Sequence, residues 1–127
     1  MAIPFKILLA DDHVMFRRGV KSLIQGMDNV EVVGEAGDGF ELLRLMKDIH
    51  PDLVIMDISM PNLRGLEATR EIKILEPGVK VLILSMHKER EYLYHALTAG
   101  AEGYLLKEDA DGELISAIET LRRGGTF

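Results

Sequence analysis

Leu53-Val54-Ile55-Met56-Asp57 is the stretch on which the fold turns. Four apolar residues run without a break into a carboxylate. Pro51-Asp52 precedes the run and Ser59-Met60-Pro61 follows it. A continuous apolar run of this length between turn signals reads as a strand buried on both faces. Asp57 then stands at its carboxyl end, the edge where ligands collect in open parallel sheets.

Four further runs of the same kind flank it. Phe5-Lys6-Ile7-Leu8-Leu9-Ala10 ends on Asp11-Asp12. Val30-Glu31-Val32-Val33-Gly34-Glu35-Ala36 is β-branched and alternates in part, as a strand near a sheet edge does. Val79 to Leu84 leads into Ser85, and Gly103-Tyr104-Leu105-Leu106 leads into Lys107.

Helical periodicity fills the gaps. Phe16, Val20, Leu23, Ile24 and Met27 form the first stripe, which Asp28-Asn29 stops. Asp38 with Glu41 is an acidic capping box for a second helix, with Leu42, Leu45, Met46 and Ile49 on one face. Pro51 closes it. Met60 to Gly65 is a loop by its turn residues, and a third helix then carries Ala68, Ile72 and Leu75 as far as Glu76-Pro77-Gly78. A weaker fourth helix turns Leu93, Ala96 and Leu97 inward and stops at Gly100. The fifth starts near Asp111, carries Leu114, Ile115, Ile118 and Leu121, and ends at Gly124-Gly125.

Strand and helix alternate five times with short connections. The fold class is therefore α/β, a doubly wound (βα)5 parallel sheet with right-handed crossovers. The first, third and fourth strands are the most apolar and belong at the centre. Residues 1–127 make one domain, long enough to bury a core, without an internal repeat.

Composition narrows the function classes. There is no cysteine, which removes disulfides and thiolate metal sites and suits the cytoplasm. The N-terminal stretch is too short and too polar at its edges for a signal peptide. No apolar run approaches the roughly 18 residues that a membrane span needs. A net charge of -6 argues against contact with nucleic acid by this domain itself, and leaves cations or basic partners open.

The carboxyl ends of four strands bring Asp11, Asp12, Asp57, Ser85 and Lys107 to one edge. Each alone has a bland reading. Asp12 doubles as a helix cap, Ser85 as a turn residue bonding backbone, Lys107 as a solvated surface lysine. Together they are more specific. Three carboxylates held together repel unless a cation neutralises them. A hard divalent ion with oxygen ligands does so, magnesium in the first place with manganese as a substitute. A hydroxyl and an ammonium facing an aspartate suit a phosphoryl group, and a carboxylate can itself be the nucleophile. The residues thus point to a magnesium-assisted phosphoryl acceptor at Asp57.

Over essentially its whole length the chain resembles the receiver domains of bacterial two-component response regulators. Asp11-Asp12, Asp57-Ile58-Ser59-Met60-Pro61, Ser85 after a buried strand and Gly103-Tyr104-Leu105-Leu106-Lys107 carry the likeness, in that order. Asp12-His13-Val14-Met15-Phe16-Arg17-Arg18-Gly19-Val20, Gly34 to Gly39 and Ala99 to Tyr104 resemble the NarL/LuxR (FixJ-like) subgroup, whose receivers precede a helix-turn-helix DNA-binding domain.

The resemblance implies a flavodoxin-like strand order 2-1-3-4-5. It implies a phosphorylation-activated switch in which Asp57 takes phosphate from a sensor histidine kinase. Asp12, Asp57 and the backbone carbonyl of Ser59 bind magnesium, with Asp11 acting through water. Ser85 and Tyr104 form the switch pair; without the likeness Tyr104 is an ordinary strand-edge aromatic. No turnover of an external substrate is expected. The longer chain is expected to regulate transcription through its own C-terminal DNA-binding domain, absent after Phe127. A weak homodimer that phosphorylation strengthens is a further expectation, through the first and fifth helices or the fourth and fifth.

Three positions set this chain apart within the family pattern. Glu108 follows Lys107 where proline is common, which favours a trans bond, since a non-proline cis bond costs about 2.5–4 kcal/mol. Ser59 and His87, each two residues past a site residue, occupy positions that tune phosphoryl loss in the family, with His87 read as a solvent-facing loop residue. Other classes fit less well. A phosphatase of the haloacid-dehalogenase type wants an acid at position 59 and its nucleophile after the first strand. A nucleotide or flavin module would place its glycines after the first strand, whereas Gly34, Gly37 and Gly39 lie after the second.

Overall fold

A computed structural model describes residues 3–127. The strands are β1 (Phe5–Ala10), β2 (Val30–Ala36), β3 (Leu53–Asp57), β4 (Lys80–Ser85) and β5 (Gly103–Leu106). They form a single parallel sheet in the order β2-β1-β3-β4-β5. Between them run α1 (Val14–Gln25), α2 (Gly39–Asp48), α3 (Gly65–Leu75) and α4 (Arg90–Ala99). A 3-10 turn over Lys107–Asp109 leads into α5 (Ala110–Arg122). The fold is the flavodoxin-like one implied by the resemblance, with β2 at an edge.

Two apolar layers sandwich the sheet. On one face Leu8, Val54, Met56, Val81 and Ile83 meet Leu42 and Met46 of α2, Ala68 and Ile72 of α3, and Ala96 of α4. On the other, Ile7, Leu9, Ile55, Leu82 and Leu84 meet Val20 and Ile24 of α1 and Leu114, Ala117, Ile118 and Leu121 of α5. All five residues of β3 are buried, which is why its sequence runs apolar instead of alternating.

Helix signals held with some differences. Asp38 Oδ1 accepts the Glu41 amide at 2.8 Å, as a cap should, while Glu41 Oε1 accepts the Gly37 amide, one residue before the cap. Asp12 does not cap α1. His13 occupies the cap position without a side-chain bond, and Asp11 Oδ1 takes the His13 amide at 2.8 Å. Gly100 ends α4 at φ +105°, a region glycine enters freely.

Four residues expected to face inward do not. Leu75, the last residue of α3, is exposed past the end of the buried stripe that Gly65, Ala68, Thr69 and Ile72 make. Leu93 and Leu97 of α4 are 39% and 54% exposed; the helix lies on Ala96 and Ala99 instead. Ile115 is exposed on α5, where Ala117 is buried in the stripe. Small residues let a helix approach closely, and that contact outranks the larger side chains beside it.

Candidate functional site

The loops after β1, β3, β4 and β5 meet at one end of the sheet. β3 delivers Asp57, only 3% exposed, onto a short turn. The turn is held by the start of α3: a side chain at Gly65 would come within 2.6 Å of the Asp57 carbonyl oxygen, so the helix approaches β3 only because position 65 has none. The Ser59 amide donates to Asp57 Oδ1 at 3.2 Å. Ser59 itself is exposed at the rim.

Asp11 is buried beside Asp57, while Asp12 is exposed at the mouth. Lys107 enters from β5. Its Nζ lies 2.8 Å from Asp11 Oδ2 and 3.5 Å from Asp57 Oδ2, and 4.4 Å above the Phe16 ring. The bland alternative for Lys107, a solvated surface lysine, does not hold: its side chain is 9% exposed. The ammonium compensates the carboxylates incompletely. Burial raises the Asp57 carboxyl above the ordinary range, against the downward pull of Lys107 and the Ser59 amide, and Asp11 and Asp12 add to the rise.

Ser85 is fully buried at the end of β4, and its Oγ accepts the His87 amide at 2.9 Å. The Tyr104 hydroxyl donates to the His87 carbonyl at 2.9 Å. The two groups therefore hold the same residue, one by its amide and the other by its carbonyl. Burial raises the Tyr104 phenol above its usual value. His87 is not the solvent-facing residue expected. It is half-buried, its ring stacked on Tyr92 at 4.0 Å with 5° between planes. No cis peptide bond occurs among the described residues, so Lys107–Glu108 is trans. Glu108 turns outward to pair with Lys88.

One side chain was missed. His13 Nδ1 stands 3.2 Å from Asp11 Oδ1, 3.6 Å from Asp12 Oδ1 and 4.0 Å from Asp57 Oδ2. It is also 3.2 Å from Lys107 Nζ. Its place directly after the aspartate pair was the available signal. Donor atoms of Asp11, Asp12, His13 and Asp57 all fall within 4.8 Å of one another. Two of the carboxylate oxygens, Asp11 Oδ2 and Asp57 Oδ2, are buried without a hydrogen-bond partner. Asp11 Oδ2 is near Lys107, but off its bonding directions. Orphaned buried carboxylate oxygens in an oxygen-rich set fit a hard divalent cation. A cleft of about 640 Å³, walled by Phe16, Met86 and Lys88 among others, opens from this cluster to solvent.

Fold and site together define a doubly wound α/β domain whose switch-point edge is an acidic, lysine-bridged cleft. The family model for the response regulator receiver domain matches residues 7–119. The chain is 44% identical over 123 residues to the transcriptional regulatory protein DegU of Brevibacillus brevis, covering 96% of this chain and 52% of that one. Among solved structures it is similar to a LuxR-family two-component response regulator from Aurantimonas sp. SI85-9A1, with TM-score 0.92 and 37% identity over 97% of this chain and 88% of that one. It also matches the signal receiver domain of NarL from Mycobacterium tuberculosis, with TM-score 0.91 and 34% identity over 97% and 99% of the two chains.

The chain belongs to the receiver-domain family of two-component response regulators, with its relatives among the NarL, DegU and LuxR types. Such relatives are signalling proteins, not enzymes that turn over a substrate. The chain spans about half the length of the curated relatives it matches. No helix among the described residues is long and apolar enough to cross a membrane.

Proposed function

We propose that this domain is a phosphorylation switch, in which Asp57 accepts a phosphoryl group from the phosphohistidine of a sensor kinase. The observation that carries the reading is Asp57 Oδ2: buried, without a hydrogen-bond partner, and 3.5 Å from a buried ammonium. That oxygen attacks phosphorus. The P–N bond breaks, its electron pair goes to the imidazole nitrogen, and an acyl phosphate remains on Asp57. Asp12, Asp57 and the Ser59 carbonyl would hold magnesium directly, with Asp11 through water. Bound there, the ion supplies positive charge to the phosphoryl oxygens and lowers the repulsion among the carboxylates.

The chain's own residues do the rest. Lys107 offers its charge to a phosphoryl oxygen across from Asp57. Ser85 turns its hydroxyl from accepting the His87 amide to donating to the phosphoryl group. His87 is then released on one side, and Tyr104 is freed to swing inward. Slow hydrolysis resets the site, without an external substrate. In the longer chain we place a C-terminal DNA-binding domain after Phe127, so that the switch regulates transcription, in the cytoplasm and through phosphorylation-favoured pairing of two copies.

Intact mass after incubation with acetyl phosphate tests this. The expected result is a gain of one phosphoryl group that depends on magnesium and is absent in Asp57→Asn. Equal uptake by Asp57→Asn would sink the assignment.

A further inference from the structure

The Asp11–Asp12 turn is tied down by a side chain that touches neither cleft carboxylate. Arg17, at the end of the first turn of α1, sends its guanidinium back under that turn. Nη1 donates to the Asp11 carbonyl and reaches the Ala36 carbonyl, at the end of β2, at 3.4 Å. Nε donates to Glu35 Oε1 at 2.9 Å. The Asp11 amide donates to the same Ala36 carbonyl at 2.9 Å. Glu35 in turn takes Lys21 Nζ on its other oxygen at 3.2 Å. Burial pushes the Glu35 carboxyl up, but the bonds from Lys21 and Arg17 outweigh it and hold the group below its ordinary range. Glu35 therefore stays anionic and keeps the guanidinium oriented.

The gripped carbonyl belongs to the peptide unit that joins Asp11 to Asp12. Its oxygen is held by Arg17, and the amide of the peptide unit before it is pinned to β2, so the unit cannot rotate without breaking a charge-assisted bond. Rotation there would swing the Asp12 carboxylate away from Asp57. A planar fork with several donors does this where a lysine point charge cannot. We propose that Arg17, braced by Glu35, is a positioning residue of the metal site, setting the spacing of the Asp11 and Asp12 carboxylates against Asp57. The inference rests on the metal reading above. It assigns a task to the edge strand β2, which contributes no side chain to the cleft.

Manganese binding to this chain, followed by the electron paramagnetic resonance of the free ion with magnesium as competitor, tests the idea. Outer-layer partners of metal ligands commonly alter affinity by about 10–100-fold. Arg17→Ala is expected to weaken binding about tenfold, with Arg17→Lys in between. Lys73→Ala is the control. It removes an ion pair with Glu102 and a bond to the Val79 carbonyl at the opposite end of the strands, and should leave metal affinity at the wild-type level. Should Arg17→Ala not fold, Arg17→Lys and Glu35→Gln decide, each with an expected loss of about threefold. Wild-type affinity in the Arg17 variants, or an equal loss in Lys73→Ala, overturns the positioning role. Wild-type protein that binds no manganese overturns the metal reading itself, and this inference with it.

Discussion

Lys107 Nζ and Asp57 Oδ2 lie 3.5 Å apart, with both side chains almost withdrawn from water. The ammonium is closer still to Asp11 Oδ2, at 2.8 Å, so one cation serves two buried carboxylates. Lys107→Met keeps the length of the side chain and removes that charge. Breaking a buried pair from one side leaves uncompensated charge, and the expected loss is about 3 kcal/mol in metal-free protein at neutral pH. Urea unfolding measures it. Magnesium should then restore more stability to the variant than it adds to wild type, because it replaces the missing charge. A loss below about 1 kcal/mol would mean that water already screens the cleft.

Asp57 predicts a pH dependence of definite sign. Its folded carboxyl is raised above the unfolded value, chiefly by burial. Between those two values the folded state holds more protons, so the group's contribution to stability falls as pH rises through that window. Asp57→Asn removes the charge and keeps the shape. At pH 7 and without metal the variant should be more stable than wild type by about 1–3 kcal/mol, the scale of a buried polar group left unsatisfied. The gain should shrink as pH is lowered toward the ordinary carboxylate range. A gain that is constant with pH would show that charge is not its source.

Tyr104 binds the carbonyl of His87 and Ser85 its amide, and this predicts coupling. Tyr104→Phe loses one neutral hydrogen bond and should cost about 0.5–1.5 kcal/mol. Ser85→Ala leaves the His87 amide without its acceptor and should cost a similar amount. The two act on one loop residue, so the double variant should cost less than the sum. Strict additivity in thermal or urea unfolding would remove the loop as a shared element.

The sheet was legible because β3 is apolar through all of its residues and the strand ends carry the polar set. Asp11, Asp57, Ser85 and Lys107 come together as their strand positions require. His13 was missed because a histidine at a helix start has many ordinary uses, and only the turn at Asp11 aims its ring into the cleft. His87 was misjudged for a related reason: nothing local announces that Tyr92, five residues on, will stack on it. The Arg17–Glu35 bond joins α1 to the edge strand, and a one-dimensional pattern has no signal for such a pair. Helix faces failed where large apolar residues outnumbered alanines, since periodicity weighs hydrophobicity and not the closeness of approach.

α4 rests on its alanines and not on its leucines. Ala96 is fully buried against the sheet, whereas Leu97 is more than half exposed. Size alone would make Leu97 the anchor. Leu97→Ala should nevertheless alter stability by only about 0.5 kcal/mol, as exposed positions do. Ala96→Leu is the reverse experiment. It adds methylenes where α4 meets Ile83 and its neighbours, and overpacking of this kind typically costs about 1–3 kcal/mol. The helix would have to lift from the sheet, and the loop carrying His87 lies directly before it. Ala96→Leu should therefore also loosen the His87–Tyr92 stack, seen as altered tyrosine ring shifts by nuclear magnetic resonance. If Leu97→Ala proves the more damaging of the two, α4 rests on its leucines and not on its alanine face.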